Sequence, residues 1–238
     1  MHIAPNASKL PEVSRALNKQ VARQNNSSDL SLPSLHPFPG PPQCHSGYDI
    51  RPVRNSHQLG MTNMLVHRMY ASRGYTTGAA KPSLDDPNRV TLAAWKYDDV
   101  VATLTLGRDS PSGLLADTLY APEVATLRRP QRVVCEVTRL AVDPDFSSPE
   151  LLTALFQVAH RHGKEFLDAS DVVIEVNPRH VAYYRRLMGF KQLGELRHCP
   201  RVDAPAVLLH HDLQNLTFAN DRPSRSHRDL SSHRSARV

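Results

Sequence analysis

Apolar residues change their spacing several times along this chain, and each change marks a new element. Tyr48 to Arg54 predicts a first strand. Leu59, Leu65, Val66 and Met69 then form one stripe of a helix capped by Ser56 and stopped at Gly74. Val90 to Lys96 and Val100 to Gly107 read as a hairpin turning at Tyr97, Asp98 and Asp99. Arg132 to Val142 predicts a long central strand. A helix from Ser148 to about Leu167 buries Leu151, Leu152, Leu155, Phe156 and Val158 or Ala159. Asp171 to Val176 is short and apolar throughout its middle, as in a strand covered on both faces. A helix from Pro178 to Met188 follows, then strands near Lys191 to Leu196 and Ala206 to His211. This alternation predicts an α/β fold with one mixed central sheet and helices on both faces. A ligand in such a sheet sits beyond strand ends where neighbours diverge, here between the Arg132 strand and the Asp171 strand.

Composition divides the 238 residues into three parts. Residues 1 to 47 are rich in Pro, Ser and Asn, and residues 216 to 238 are polar and basic, so neither buries enough apolar surface to offset its ordering entropy. Both are expected to be largely disordered around a folded domain at 48 to 215. The net charge of +6 sits mostly in those ends. Lys9, Arg15, Lys19 and Arg23 outnumber Glu12 and Asp29, and Arg222, Arg225, Arg228, Arg234 and Arg237 outnumber Asp221 and Asp229. The middle is close to neutral, which argues against nucleic acid as a partner. Cys44, Cys135 and Cys199 have no motif spacing, and the sequence has neither a membrane-spanning apolar run nor a signal-peptide core, so a cytoplasmic location is expected. Of the thirteen histidines, His160 and His162 face different ways on a helix and His210 and His211 opposite ways on a strand. No metal is assigned.

Two segments carry the chemistry. Cys135-Glu136-Val137-Thr138-Arg139-Leu140-Ala141-Val142-Asp143-Pro144 sets a carboxylate and a guanidinium inside a strand, and Asn177-Pro178-Arg179-His180 leads through Tyr183 and Tyr184 to Gly189-Phe190. Together they resemble the GCN5-related N-acyltransferase fold. Acetyl-CoA enzymes of that fold carry an Arg/Gln-x-x-Gly-x-Gly/Ala loop whose backbone N–H groups close around the pyrophosphate at a helix start. Here the loop is Asp145-Phe146-Ser147-Ser148-Pro149-Glu150. It has no glycine, Pro149 lacks an N–H, and Glu150 repels phosphate. As a helix start it is sound, with Ser147 as a cap and Glu150 three residues on as in a capping box.

That combination is similar to the long-chain N-acyl amino acid synthases, the FeeM-like relatives of the acyl-homoserine-lactone synthases. The resemblance runs from about Tyr48 to about Leu213. It is carried by Ile50-Arg51, Arg68 to Tyr75, Gly113 to Asp117, Glu136 to Val142, Val176 to His180 and Cys199 to Leu209. It implies a long-chain acyl group delivered on the phosphopantetheine of acyl carrier protein, with acyl-CoA a less favoured donor, an amino acid acceptor and no bound cofactor. Glu136 is then the base that deprotonates the amine, since an apolar strand raises a carboxylate pKa toward the useful range. Strict alternation points Glu136 and Arg139 to opposite faces, so a structural ion pair between them requires a bulge. Backbone N–H groups at such a bulge are the expected oxyanion donors, and Val137 and Thr138 are expected substrate contacts.

Arg68 and Arg139 match positions that acyl-homoserine-lactone synthases also fill with arginine, and either suits the acceptor's carboxylate. Tyr184 is the candidate acid for the leaving thiol or, like Tyr183, a core or pocket-wall residue, since one extra residue, Met188, separates it from Gly189-Phe190 relative to the family pattern. Trp95 is a candidate wall of the acyl site or a core residue, and Asn177 a substrate contact or a helix cap. Arg179, Arg185 and Arg186 cluster beside the proposed crevice as a surface for an acidic carrier protein. Two further readings remain open: an acetyl-CoA-dependent N-acetyltransferase with a degenerate loop, and a non-catalytic acyl-binding module.

Overall fold

A computed structural model describes residues 43–45, 47–76 and 83–214. The ends expected to be disordered lie outside them, apart from residues 43–45 and 47. There β1 (Gln43–His45) pairs antiparallel with β2 (Tyr48–Pro52), so the sheet begins inside the segment assigned to the N-terminal tail.

After β2 comes α1 (Ser56–Ala71), the predicted helix with a different cap. Asn55 is extended and its Oδ1 accepts from Gln58 N, one residue earlier than the expected Ser56. The chain turns at Gly74, at φ +72°. The hairpin follows as β3 (Arg89–Lys96) and β4 (Asp99–Arg108), closed at Tyr97, which is left-handed at φ 54°. Pattern reading gave no element to α2 (Asp117–Ala125). Its periodicity is weak and Pro122 lies inside it, but Tyr120 and Val124 are fully buried.

The central strand β5 (Val134–Val142) runs into a 3₁₀ turn (Pro144–Phe146) and then α3 (Pro149–Glu165). Ser148 caps α3 in place of the expected Ser147, its Oγ accepting from Leu151 N at 3.1 Å. Next come β6 (Asp171–Val176), a 3₁₀ turn (Pro178–His180), and α4 (Val181–Met188), which ends on left-handed Gly189. A Cβ at Gly189 would also lie 3.1 Å from His211 Nε2. The remaining strands are β7 (Lys191–Gln192), β8 (Arg197–Cys199) and β9 (Ala204–Asp212).

The strand order is β1-β2-β3-β4-β5-β6-β9-β7, with β8 pairing to another stretch of β9. All pairs are antiparallel except β5 with β6. One face packs on α3 and α4 through Leu92, Leu104, Val137, Ile174, Leu155 and Tyr184. The other carries α1 over Ala93, Trp95 and Ala141, and α2 over Val134, Val173 and Leu208. Val172 and Ile174 of β6 belong to one core and Val173 between them to the other, as the apolar run Val172 to Ile174 predicts. The chain therefore has the GCN5-related mixed sheet with helices on both faces.

The parallel pairing decides where a ligand goes. It runs from Val134↔Asp171 to Val137↔Ile174 and then stops. Beyond it β5 continues beside β4 while β6 continues beside β9, and a gap opens between them.

Candidate active site

That gap is a cavity of about 560 Å³ lined by Glu136 to Val142 of β5 and by Ile174 to Asn177. Leu140, Leu152, Ile174, Tyr183 and Tyr184 supply apolar wall on the α3 and α4 side. Glu136, Glu175, Arg201 and Leu115 supply the polar end.

A bulge shapes β5 at this point. Thr105 pairs with Thr138 and Thr103 with Ala141, so Leu104 alone faces both Arg139 and Leu140. Arg139 takes the strain at φ 56°, a left-handed conformation uncommon for an arginine. Even so, Glu136 and Arg139 do not pair. Arg139 Nη2 donates to Asn63 Oδ1 of α1 at 2.5 Å, and Glu136 Oε2 accepts from Leu115 N at 2.8 Å.

Glu136 is only 3% exposed. Burial is the main cause that pushes its carboxyl up to about 7, and the negative charge of Glu175 adds to it. Leu115 and Ala116 N–H groups and Arg201 pull the other way. A carboxyl poised there exchanges a proton near neutral pH.

The other expected site residues divide. Val137, Thr138, Asn177 and Arg179 line the cavity. Asn177 acts as a cap, its Oδ1 accepting from Arg179 N at the 3₁₀ turn, while its Nδ2 donates to Tyr75 Oη at the cavity wall. Tyr184 is buried in the cavity wall with its ring edge-on to Phe156, Tyr183 and Phe190, and burial pushes its hydroxyl well above the usual tyrosine range. The neighbouring Tyr183 hydroxyl also lies at this wall, buried and without a hydrogen-bond partner among the described residues. Arg185 and Arg186 are exposed on α4.

Arg68 and Trp95 lie elsewhere. Arg68 is 61% exposed and its guanidinium donates to Asp143, because α1 presents it outward past the end of β5. Trp95 is packed under α1 with the Arg51 guanidinium 4.7 Å from its ring, so it is a core residue and not an acyl wall.

The residues that pattern reading missed are those brought in from distant segments. Arg201 donates to Glu175 Oε2 at 2.7 Å and to Leu115 O at 2.5 Å. Tyr70, Arg73 and Tyr75 close another side. The one available signal was that Leu115 and Arg201 fall inside short segments that carry the family resemblance.

The start of α3 matters for the donor. Asp143 Oδ1 accepts from Asp145 N, Ser147 N donates to Pro144 O, Ser148 Oγ takes Leu151 N, and Pro149 has no N–H. Among the described residues, no group of three or more His, Cys, Asp or Glu is placed to hold a metal, and no helix is long and apolar enough to cross a membrane.

The model of the N-acyl amino acid synthase FeeM family matches residues 61–212. The solved structure of FeeM, an N-acyl amino acid synthase from uncultured soil microbes, is similar with a TM-score of 0.66 and 24% identity over 74% of this chain and 94% of its own. The ribosomal-protein-S5-alanine acetyltransferase of Vibrio fischeri matches at 0.52 and 9% identity over 75% of this chain and 100% of its own. The acyl-homoserine-lactone synthase LasI matches at 0.48 and 12%, covering 70% and 89%. Comparison with curated proteins gives no match. The FeeM and Vibrio fischeri structures share the fold, and the family match spans well over half the sequence: the chain belongs to the FeeM family of N-acyl amino acid synthases and is an N-acyltransferase.

Proposed function

We propose that the protein transfers a long-chain acyl group from the phosphopantetheine thioester of acyl carrier protein to the amine of an amino acid. The observation that carries this reading is Glu136, a buried carboxyl poised at about 7 inside a cavity whose other wall is apolar. The acyl chain lies along Leu140, Leu152 and Ile174, where it sheds apolar surface from water. Glu136 takes a proton from the acceptor's ammonium, directly or through a water, and the freed nitrogen attacks the thioester carbonyl. A C–N bond forms, backbone N–H groups at the Arg139 bulge hold the oxyanion, and the C–S bond then breaks. The thiolate leaves with a proton from Glu136 or from a tyrosine of the wall, and the second proton of the attacking nitrogen passes to the group that gave it, so that a neutral amide is formed. Arg139 holds the acceptor's carboxylate with the guanidinium N–H groups that Asn63 does not use.

Carrier protein is favoured over coenzyme A because the Asp145, Ser147 and Leu151 N–H groups leading into α3 are already engaged, Pro149 has none, and Glu150 adds negative charge there. Arg179 at the cavity and exposed Arg185 and Arg186 on α4 offer cationic groups to an acidic partner.

The test is mass spectrometry of products after purified protein is given long-chain acyl carrier protein, the matching acyl-CoA, or acetyl-CoA, each with a pool of amino acids. An N-acyl amino acid formed from the carrier protein alone is the expected result. Product from acetyl-CoA would establish the acetyltransferase instead, and no product from any donor would favour a binding module.

A further inference from the structure

Glu175 has no role in the reaction as described above, yet it faces the same space as Glu136. Val173 is the β6 residue opposite Glu136 in the parallel pair, and Glu175 lies two residues further on, so alternation brings both carboxylates to one face of the sheet. A short relay joins them. Glu136 Oε2 accepts from Leu115 N, Leu115 O accepts from Arg201 Nη1, and Arg201 Nη2 donates to Glu175 Oε2.

That relay uses one oxygen of Glu175. The other, Oε1, is buried on a side chain only 10% exposed and has no hydrogen-bond partner among the described residues, the weakly donating Cys199 thiol beside the carboxylate aside. A buried carboxylate oxygen with no strong donor carries a desolvation cost that a ligand donor relieves. Arg201 already neutralises the other side of the carboxylate, so Oε1 suits a donor that can fit within the cavity. The reaction itself supplies one, the ammonium of the incoming amino acid.

We infer that Glu175 is the acceptor-ammonium site: its free Oε1 accepts a hydrogen bond from the amino acid's N–H and holds the nitrogen beside Glu136. This rests on the acyl-transfer reading for its substrate, but not for its chemistry, which is recognition of a primary ammonium at the polar end of an apolar cavity. With Arg139 at the carboxylate, the acceptor is held at both charged ends. The proton then moves from nitrogen to Glu136, while Glu175 stays paired with Arg201. Glu175 also supplies part of the charge that keeps the Glu136 carboxyl high.

The test separates binding from turnover. Calorimetric titration with n-octylamine and n-octanol at about pH 6 compares a cation with a neutral isostere. Of the groups around the pair, Arg201 is cationic throughout, while Tyr120 and Cys199 have raised pKa values and stay neutral. Glu136 is mostly protonated at that pH, so an ammonium preference belongs to Glu175. The wild type is expected to favour the amine by about tenfold or more, Glu175→Gln to bring the ratio near one, and Glu175→Asp to keep most of it. A wild-type ratio near one, or a ratio unchanged in a folded Glu175→Gln protein, overturns the inference. In turnover, Glu175→Gln should raise the acceptor KM about tenfold, leave the acyl-donor KM alone and move the acid limb of the pH profile downward. Product formation with an unaltered KM and profile in Glu175→Gln refutes Glu175 alone. Absence of product from the wild type with the amine preference intact refutes the acyl-transfer reading and leaves the ammonium site standing.

Discussion

Glu136 and Arg139 stand three residues apart on β5 and bond to opposite sides of the protein, Glu136 to the Leu115 backbone and Arg139 to Asn63 of α1. The carboxyl is therefore not neutralised by its neighbour in sequence, and its proton is free to take part in catalysis. Glu136→Gln should fold normally and lower kcat by about 10²–10⁴-fold, removing the acid limb near pH 7 from the rate profile. Unchanged turnover would remove Glu136 from the role of base.

The same carboxyl links stability to pH. Its pKa is raised from 4.5 to about 7 in the folded state, so the protonated form is the one that folding favours. Its contribution is full below pH 4.5 and is lost as pH rises through about 7. Glu136→Gln should match the wild type near pH 4 and exceed it at pH 8 by on the order of 3 kcal/mol, measured by denaturant unfolding at each pH. A constant difference across that range would show that Glu136 is not destabilised as a carboxylate.

Arg139 occupies a left-handed conformation that glycine adopts without strain. Arg139→Gly and Arg139→Ala both remove the contact with Asn63, but only the alanine keeps the strained Cβ. The glycine variant should be more stable than the alanine variant by about 1 kcal/mol. Equal stability would mean that the bulge is not strained.

Coenzyme A should bind weakly, because the Asp145, Ser147 and Leu151 N–H groups leading into α3 are already engaged by Asp143, Pro144 and Ser148. Thermal unfolding with about 1 mM coenzyme A should shift Tm by less than about 2 °C. A larger, saturable shift would reopen the acetyl-CoA reading.

Reversing charge on α4 tests the carrier-protein surface. The double variant Arg185→Glu, Arg186→Glu should raise KM for acyl carrier protein about tenfold or more at low salt and leave KM for the amino acid unchanged, since both side chains are exposed and face away from the cavity lining. An unaltered carrier-protein KM would place docking elsewhere.

Much of this fold was legible in the sequence because it depends on local spacing. The two periods of apolar residues located β3, β4, β6 and α3 nearly to the residue, and the run Val172 to Ile174 in β6 announced a strand covered on both faces. The glycine-free loop before α3 read correctly as a helix start, although Ser148 and not Ser147 caps it. Helix α2 escaped because Pro122 and a weak stripe leave its burial to tertiary contacts, chiefly Tyr120 donating to the Glu195 and Ala206 carbonyls.

The site was only half legible, for a related reason. A carboxylate in an apolar strand shows in sequence, because placing Glu136 there is costly enough to require an explanation. What surrounds it does not show. Asn63 lies 76 residues before Arg139, and Arg201 lies 26 residues after Glu175 and 86 after Leu115. The sequence by itself determined most of the elements, the strand bearing Glu136 and the glycine-free start of α3, since each follows from residue type and local spacing. Only the tertiary structure decided that Arg68 and Trp95 lie away from the site and that Glu175 faces Glu136. Those outcomes depend on which strands pair and where the pairing of β5 with β6 ends, and no local pattern encodes that point.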